Sequence, residues 1–469
     1  MKYLYSAKRI FFCALVISIL TSCNQNDKSE KKIEAWVTSL DKQNLLKKRD
    51  LSVEIKEADA TITIDSSQTY QEIDGFGYTL TGGSALHLNN MTDSSRVDLL
   101  QELFGTGEDE IGVSYLRLSI GASDLDEAPF SYNDLPEGET DEQLEQFSLA
   151  NDTLNLIPVL KEILEITPEI KILGSPWSPP VWMKDNGDTR GGSLKEEYYP
   201  AYARYFVKYI EAMAAEGITI DAITIQNEPL HPGNNPSLLM KAEAQKEFIK
   251  NHLGPIFEEN NIKTKIILYD HNADRPDYPI SILDDPEAAK YIDGSAFHLY
   301  GGEIEALSKV HEAHPDKNLY FTEQWVGAPG DFAQEMDWHT ENLIIGATRN
   351  WSRNVLEWNL AADENQKPHT DRGGCDRCLG ALTISGDSVT REPAYYIIAQ
   401  ASKFVRPGSI RISSNEIEEL PNVAFKTPEG KIVLIVQNKA EKEKILELKI
   451  GNESKTVKLP AEAVVTLKL

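Results

Sequence analysis

Apolar and polar positions change rhythm along this chain. Through its middle, short apolar and β-branched runs recur at 73–78, 113–120, 170–174, 222–226, 264–269, 294–298, 319–322 and 355–358. Between them apolar residues fall at helical spacing, over 94–104 behind a candidate Asp93 cap, then 154–166, 198–216, 240–253, 303–314 and 331–350. Strands separated by helices pair in parallel through right-handed crossovers, and eight of them predict a closed (β/α)8 TIM barrel. The rival, a doubly wound open sheet, calls for a Gly-rich phosphate loop after its first strand, but Gly75-Phe76-Gly77 lacks the third glycine and the helix start. From Gly408 onward the runs become short and alternating, at 410–413, 424–427, 431–437, 445–450 and 463–469, and 51–64 has the same character. Both termini are therefore expected to join in one β-sandwich side domain. The expected boundaries are 51–72 for its first strands, 73–404 for the catalytic barrel and 405–469 for the rest.

The N-terminus reads as an address. Lys2, Lys8 and Arg9 precede the apolar run 10–20, which is too short for a permanent span. The run ends in Leu20-Thr21-Ser22-Cys23, which resembles a bacterial lipobox, so 1–22 is expected to be a lipoprotein signal peptide and Cys23 the lipidated residue. An ordinary signal peptide with a chance cysteine is the alternative. Residues 23–50 would supply a tether and N-terminal segment, and the protein would be an exported, lipid-anchored one on the cell surface or the periplasmic face of an outer membrane.

Composition narrows the partners. The 469 residues are 41% hydrophobic, ample for a large core, and carry a formal charge of -27, which argues against nucleic-acid binding or the degradation of polyanions. A monomer without cofactor is expected. With Cys13 in the signal and Cys23 lipidated, Cys375 and Cys378 remain. Export permits a loop-stapling disulfide between them, with free thiols as the alternative; a structural zinc site lacks a second pair of ligands.

In a barrel of this kind chemistry sits at the C-terminal ends of strands. The fourth run ends in Gln226-Asn227-Glu228-Pro229 and the seventh in Thr322-Glu323-Gln324-Trp325, while the others offer Arg117, Trp177, Asp270, His298 with Tyr300, and Trp358. Two carboxyls on opposite walls of one mouth suit glycosidic cleavage, in which one protonates the departing oxygen while the other attacks the sugar carbon. Aromatic rings stack on sugar faces and amides read hydroxyls. Arg117 is expected to hold Glu323 ionised, and the charge of Glu323 to raise the pKa of Glu228. His298 fits either a structural role or a substrate contact. Asp270, His271 and His298 lack metal-ligand spacing, so no catalytic metal is expected.

Seven ordered motifs, Gly75-Phe76-Gly77, Ser175-Pro176-Trp177-Ser178-Pro179-Pro180, Gln226-Asn227-Glu228-Pro229, Phe297-His298-Leu299-Tyr300, Phe321-Thr322-Glu323-Gln324, Glu357-Trp358-Asn359 and 402–408, resemble glycoside hydrolase family 30. The resemblance runs from about Ile62 to the C-terminus. It implies a retaining mechanism with Glu228 as acid/base and Glu323 as nucleophile, and it places Arg117, Trp177, Asn227, His298, Tyr300 and Trp358 around the sugar, with Asp270 and Trp325 added by position. Among the family's branches, which include glucosylceramidases and endo-β-1,6-glucanases, the chain looks more like the β-1,6-glucan-cleaving one. A glucosylceramidase-like or other β-glucosidase activity is the alternative, and a non-catalytic surface glycan-binding lipoprotein is the alternative from another class. Where glucosylceramidases carry Thr-Asp, with the aspartate clamping outer glucose hydroxyls, this chain has Thr81-Gly82. The loss of that clamp predicts reliance on several glucose units stacked along Trp177, Trp182 and Trp325.

Overall fold

The computed structural model describes residues 33–54 and 57–469. The expected signal peptide, Cys23 and the expected tether up to Lys32 lie outside the described residues. Eight parallel strands close into a barrel: Gly75–Thr79, Tyr115–Ser119, Lys171–Ser175, Ala222–Thr224, Lys265–Asn272, Ile292–His298, Asn318–Glu323 and Ser352–Asn359. Each overlaps one of the eight apolar runs. The chain visits the strands in order, and Ser352–Asn359 pairs with Gly75–Thr79 to shut the ring.

The bore is packed solid below the site. Tyr115, Leu173, Ala222, Ile267, Ala296, Tyr320 and Leu356, one from each strand after the first, form their own apolar cluster. The first strand contributes no side chain here, since a Cβ at Gly77 would meet the Tyr115 carbonyl oxygen at 1.8 Å. Because strand side chains alternate, the residue two places on from each plug residue also points inward, one layer nearer the mouth. This places Arg117, Ser175, Thr224, His298, Thr322 and Trp358 there, above Tyr115, Leu173, Ala222, Ala296, Tyr320 and Leu356. The alternation breaks in the fifth strand. Tyr269 and Asp270 have φ of +74° and +65° and the register with the sixth strand shifts between Tyr269 and His271, which turns Asp270 inward.

The helices follow the expected periodicities with local changes. Asp93 is a first-turn residue, and Thr92 is the N-cap of Asp93–Phe104. Two helices widen into π-helical stretches at Ile249–Leu253 and Thr340–Ala347. Pro393–Ser402 has no amphipathic signature in the sequence because every residue but Tyr396 is buried.

The side domain draws on both ends of the described chain. Ala60–Glu72 pairs antiparallel with Ile410–Ser414 and parallel with Lys444–Ile450. The N-terminal assignment needs correction, because Glu34–Ser39 and Lys47–Arg49 are strands lying within the stretch assigned to tether and N-terminal segment. Glu34–Ser39 pairs along its whole length with the last strand, Ala463–Lys468. Its alternation is too short to stand out, yet Ala35 and Val37 are fully buried in the sandwich core.

Candidate active site

Two glutamates face one another across the barrel mouth. Glu228 ends the segment after the fourth strand with φ at +47°, a left-handed conformation that a non-glycine residue adopts at a cost of about 1–3 kcal/mol. Its N–H donates to the Asp270 carbonyl, which fixes where the strained residue points. Glu323 ends the seventh strand, where the register with the sixth slips by one residue. One oxygen of each carboxyl and a ring nitrogen of His298 lie within 4.8 Å of one another. The two carboxyls therefore approach one another closely, as the retaining arrangement requires, in which one carboxylate bonds the sugar directly.

Beneath the glutamates lies a buried ionic floor. Arg117 Nη1 donates to Glu323 Oε2 at 2.6 Å, and Nη2 donates to Asn227 Oδ1 at 2.7 Å and Asp270 Oδ2 at 2.8 Å. The guanidinium also stacks against Trp177 and Trp358, 4.8 and 5.8 Å from their ring centres. Asp270 Oδ2 accepts from Ser175 and Thr224 at 2.6 and 2.7 Å, and Oδ1 accepts from Thr322 at 2.6 Å with His298 Nε2 3.1 Å away. Burial would raise the Asp270 carboxyl, but the Arg117 charge and these donors hold it well below the usual range. Burial would likewise lower His298, yet the charges of Glu323 and Asp270 and the bonds to Asp270 and Glu228 lift it to about 9.

Proton placement in the cluster differs from expectation. For Glu228, burial is outweighed by the hydrogen bond and charge of His298, and its carboxyl falls below the usual value. For Glu323, burial outweighs the pull of His298 and Arg117, and its carboxyl is raised. Sequence order around Arg117 does not reveal that His298 stands between the pair, with Nδ1 at 3.3 Å from Glu228 Oε1 and 3.7 Å from Glu323 Oε1. The protons belong to the cluster as a unit.

Above this floor is a pocket of about 360 Å³. Trp177, Asn227, Tyr300, Trp325 and Trp358 line it with the two glutamates, as a substrate-binding role requires. Arg117, Asp270 and His298 do not. All three are fully buried behind the wall and hydrogen-bonded to the residues that form it, which suits them to positioning the carboxyls. Trp182 is also outside the pocket: its Nε1 donates to Asn133 and its ring packs edge-on to Tyr198. Cys375 and Cys378 are joined in a disulfide that forms part of the pocket wall, with Cys378 packed on Trp177, Trp358 and Leu125. The same loop is tied down by Thr370 N–H to the Asp124 carbonyl and by Arg372 to Asp188.

The absent aspartate at Gly82 has a substitute. A Cβ at Gly82 would lie 1.7 Å from Asp126 Oδ1, so the loop after the second strand already fills that space. From the same loop Asp124 brings its carboxyl to the pocket lining, where it accepts from its own backbone N–H. Burial, with the charges of Glu323 and Glu228, pushes it up to about 8. Asp124 was not among the expected site residues, nor were His231, Asn234, His271 and Asn272, which also line the pocket. The Ser123-Asp124-Leu125-Asp126 stretch follows the second strand closely enough to have flagged the aspartate, but only its fold shows which of two carboxyls faces the cavity.

A closed (β/α)8 barrel with two carboxyls paired at facing strand ends, in a pocket walled by indole rings, defines a sugar-cleaving enzyme of the glycoside hydrolase class. Residues 73–405 match the glycosyl hydrolase family 30 TIM-barrel domain and residues 408–467 the glycosyl hydrolase family 30 beta sandwich domain. The chain belongs to glycoside hydrolase family 30. It is 35% identical to the endo-1,6-beta-D-glucanase of Neurospora crassa over 81% of this chain and 81% of that protein. It is 29% identical to the lysosomal acid glucosylceramidase of Mus musculus over 85% and 82% respectively. A solved endo-beta1,6-glucanase structure superposes with a TM-score of 0.86 at 33% identity, over 93% of this chain and 99% of that one.

Proposed function

We propose that this chain is a retaining β-glycosidase that cleaves β-1,6-glucan, with Glu323 as nucleophile and Glu228 as acid/base. The observation that carries the reading is the close pair of carboxyls within one aromatic pocket. Their surroundings separate the roles. Glu323 is gripped on both oxygens, by Arg117 at 2.6 Å and by the Tyr300 hydroxyl at 3.0 Å, which fixes its line of attack. Glu228 has only long contacts, 3.3 Å to His298 and 3.3 Å to Asn234, and is free to follow a leaving oxygen. His298, lifted to about 9 by the carboxyls around it and standing 3.3 Å from Glu228 Oε1, is the group from which Glu228 takes the proton it passes to the leaving oxygen, with Glu323 ionised for attack.

The β-1,6 linkage rests on the endo-1,6-glucanase relatives and on the match to the solved endo-β1,6-glucanase. The experiment is hydrolysis of reduced β-1,6-linked oligomers followed by early NMR. The β-anomer is expected to appear before mutarotation, with kcat/KM above that for glucosylceramide. An initial α-anomer overturns the mechanism, and a preference for the lipid overturns the substrate.

A second reading, activity on short terminal β-glucosides, gains support from Asp124. The Asp124 carboxyl, with no side-chain hydrogen-bond partner among the described residues, can grip outer hydroxyls of a single glucose, and losing such a contact in a buried site costs about 1–3 kcal/mol. Asp124→Ala is therefore expected to lower kcat/KM on an aryl β-glucoside by about one to two powers of ten. An unchanged value shows that Asp124 does not touch sugar.

The enzyme acts as an exported monomer anchored through lipidated Cys23, on the cell surface or the periplasmic face of an outer membrane. Support comes from the lipobox-like ending of the apolar N-terminal run. Cys23→Ser is expected to shift activity from the membrane to the soluble fraction, and continued membrane retention counts against the anchor.

A further inference from the structure

A second cleft, of about 470 Å³, opens on the far side of Tyr300 and Trp325. These two residues line the catalytic pocket and the second cleft alike, so they form a shared ridge. Beyond the ridge the cleft is lined by Trp338 and Gln334 from the helix Phe332–His339 and by Arg377 from the disulfide loop. Trp338 is half-buried, with its ring edge-on to His339 at 5.1 Å, while Gln334 and Arg377 are exposed. Beneath it, His339 is pinned by Glu357 at 2.7 Å and Glu335 at 3.1 Å, which fixes the helix to the last barrel strand. An indole platform flanked by an amide and a guanidinium has the chemistry of a sugar subsite, with a face for stacking and donors for hydroxyls.

We propose that this cleft binds a glucosyl residue of the same chain, beyond the two units that flank the cleaved bond. The inference rests on the β-1,6-glucan reading and extends it. A β-1,6 linkage places an extra rotatable carbon between rings, so a chain seated in the catalytic pocket can bend over the Tyr300 and Trp325 ridge and lay its next units on Trp338. Because Tyr300 and Trp325 wall both cavities, a chain leaving the catalytic pocket over them meets this cleft next, which selects this occupant over a separate ligand.

The test compares kcat/KM for β-1,6-linked disaccharide and for oligomers of increasing length, in the parent enzyme and in Trp338→Ala, Trp338→Phe and Gln334→Ala. In the parent, the value rises with chain length. Trp338→Ala abolishes about tenfold of that rise and leaves the disaccharide within twofold of the parent, Trp338→Phe restores most of the loss, and Gln334→Ala loses two- to threefold on long chains only. Gln334 is exposed, so its variant keeps the test decisive even where Trp338→Ala fails to fold. Equal losses on short and long substrates, or none on long ones, overturn the subsite. If the parent cleaves an aryl β-glucoside but no β-1,6 oligomer, the substrate reading itself fails and this inference falls with it.

Discussion

Glu323→Ala is expected to lower turnover of an aryl β-glucoside by about four to six powers of ten, because the proposed nucleophile is gone while the pocket remains. Azide should enter the vacated space below the ring and restore turnover, giving the α-glycosyl azide by a single displacement. Glu228→Ala has a different signature. With a very good leaving group the first step needs no acid, so glycosylation persists, and azide then attacks the covalent intermediate to give the β-glycosyl azide. Product NMR distinguishes the two, and exchanged anomers would reverse the assignment. The prediction follows from how each group is held: Glu323 is clamped by Arg117 and Tyr300, whereas Glu228 is not.

Arg117→Met should have the second largest effect, and on stability as well as rate. Arg117 is completely buried between Asp270, itself completely buried, and Glu323. Removing one partner from such an ion pair leaves uncompensated buried charge and costs about 3–5 kcal/mol, to be read by chemical denaturation. The pH dependence has a definite sign. Asp270 is held well below its usual 3.8, so the stability it confers is present above that value and is lost as pH falls through the depressed one. Without the guanidinium that depression shrinks and this contribution is reduced at neutral pH. The same loss raises the pKa of Glu323, so the acid limb of the kcat/KM profile should move to higher pH. A variant with the parent's stability and an unmoved acid limb would show that the Ser175, Thr224, Thr322 and His298 contacts suffice without the arginine.

The periodicity of apolar residues was enough to locate all eight barrel strands, because a parallel strand buried on both faces is apolar along most of its length. Glu228 and Glu323 were legible for a related reason: in this architecture the C-terminal end of a strand is the mouth, so position along the sequence translates directly into position in space. Trp177, Asn227, Tyr300, Trp325 and Trp358 reach the pocket on the same logic.

That translation fails wherever depth or a second loop decides. Arg117 and His298 sit near strand ends as substrate contacts would, but the folded chain buries both side chains completely, behind the pocket wall and hydrogen-bonded to its carboxyls. Asp270 joins them through a left-handed pair of residues that no residue pattern announces. Proton placement is likewise a tertiary property, since His298 comes from one strand and its carboxyl partners from three others. Gly82 shows the limit most plainly. The sequence determines that the carboxylate is missing there, while only the folded chain reveals Asp126 in the vacated volume and Asp124 beside the pocket, because loops distant in sequence compete for one space.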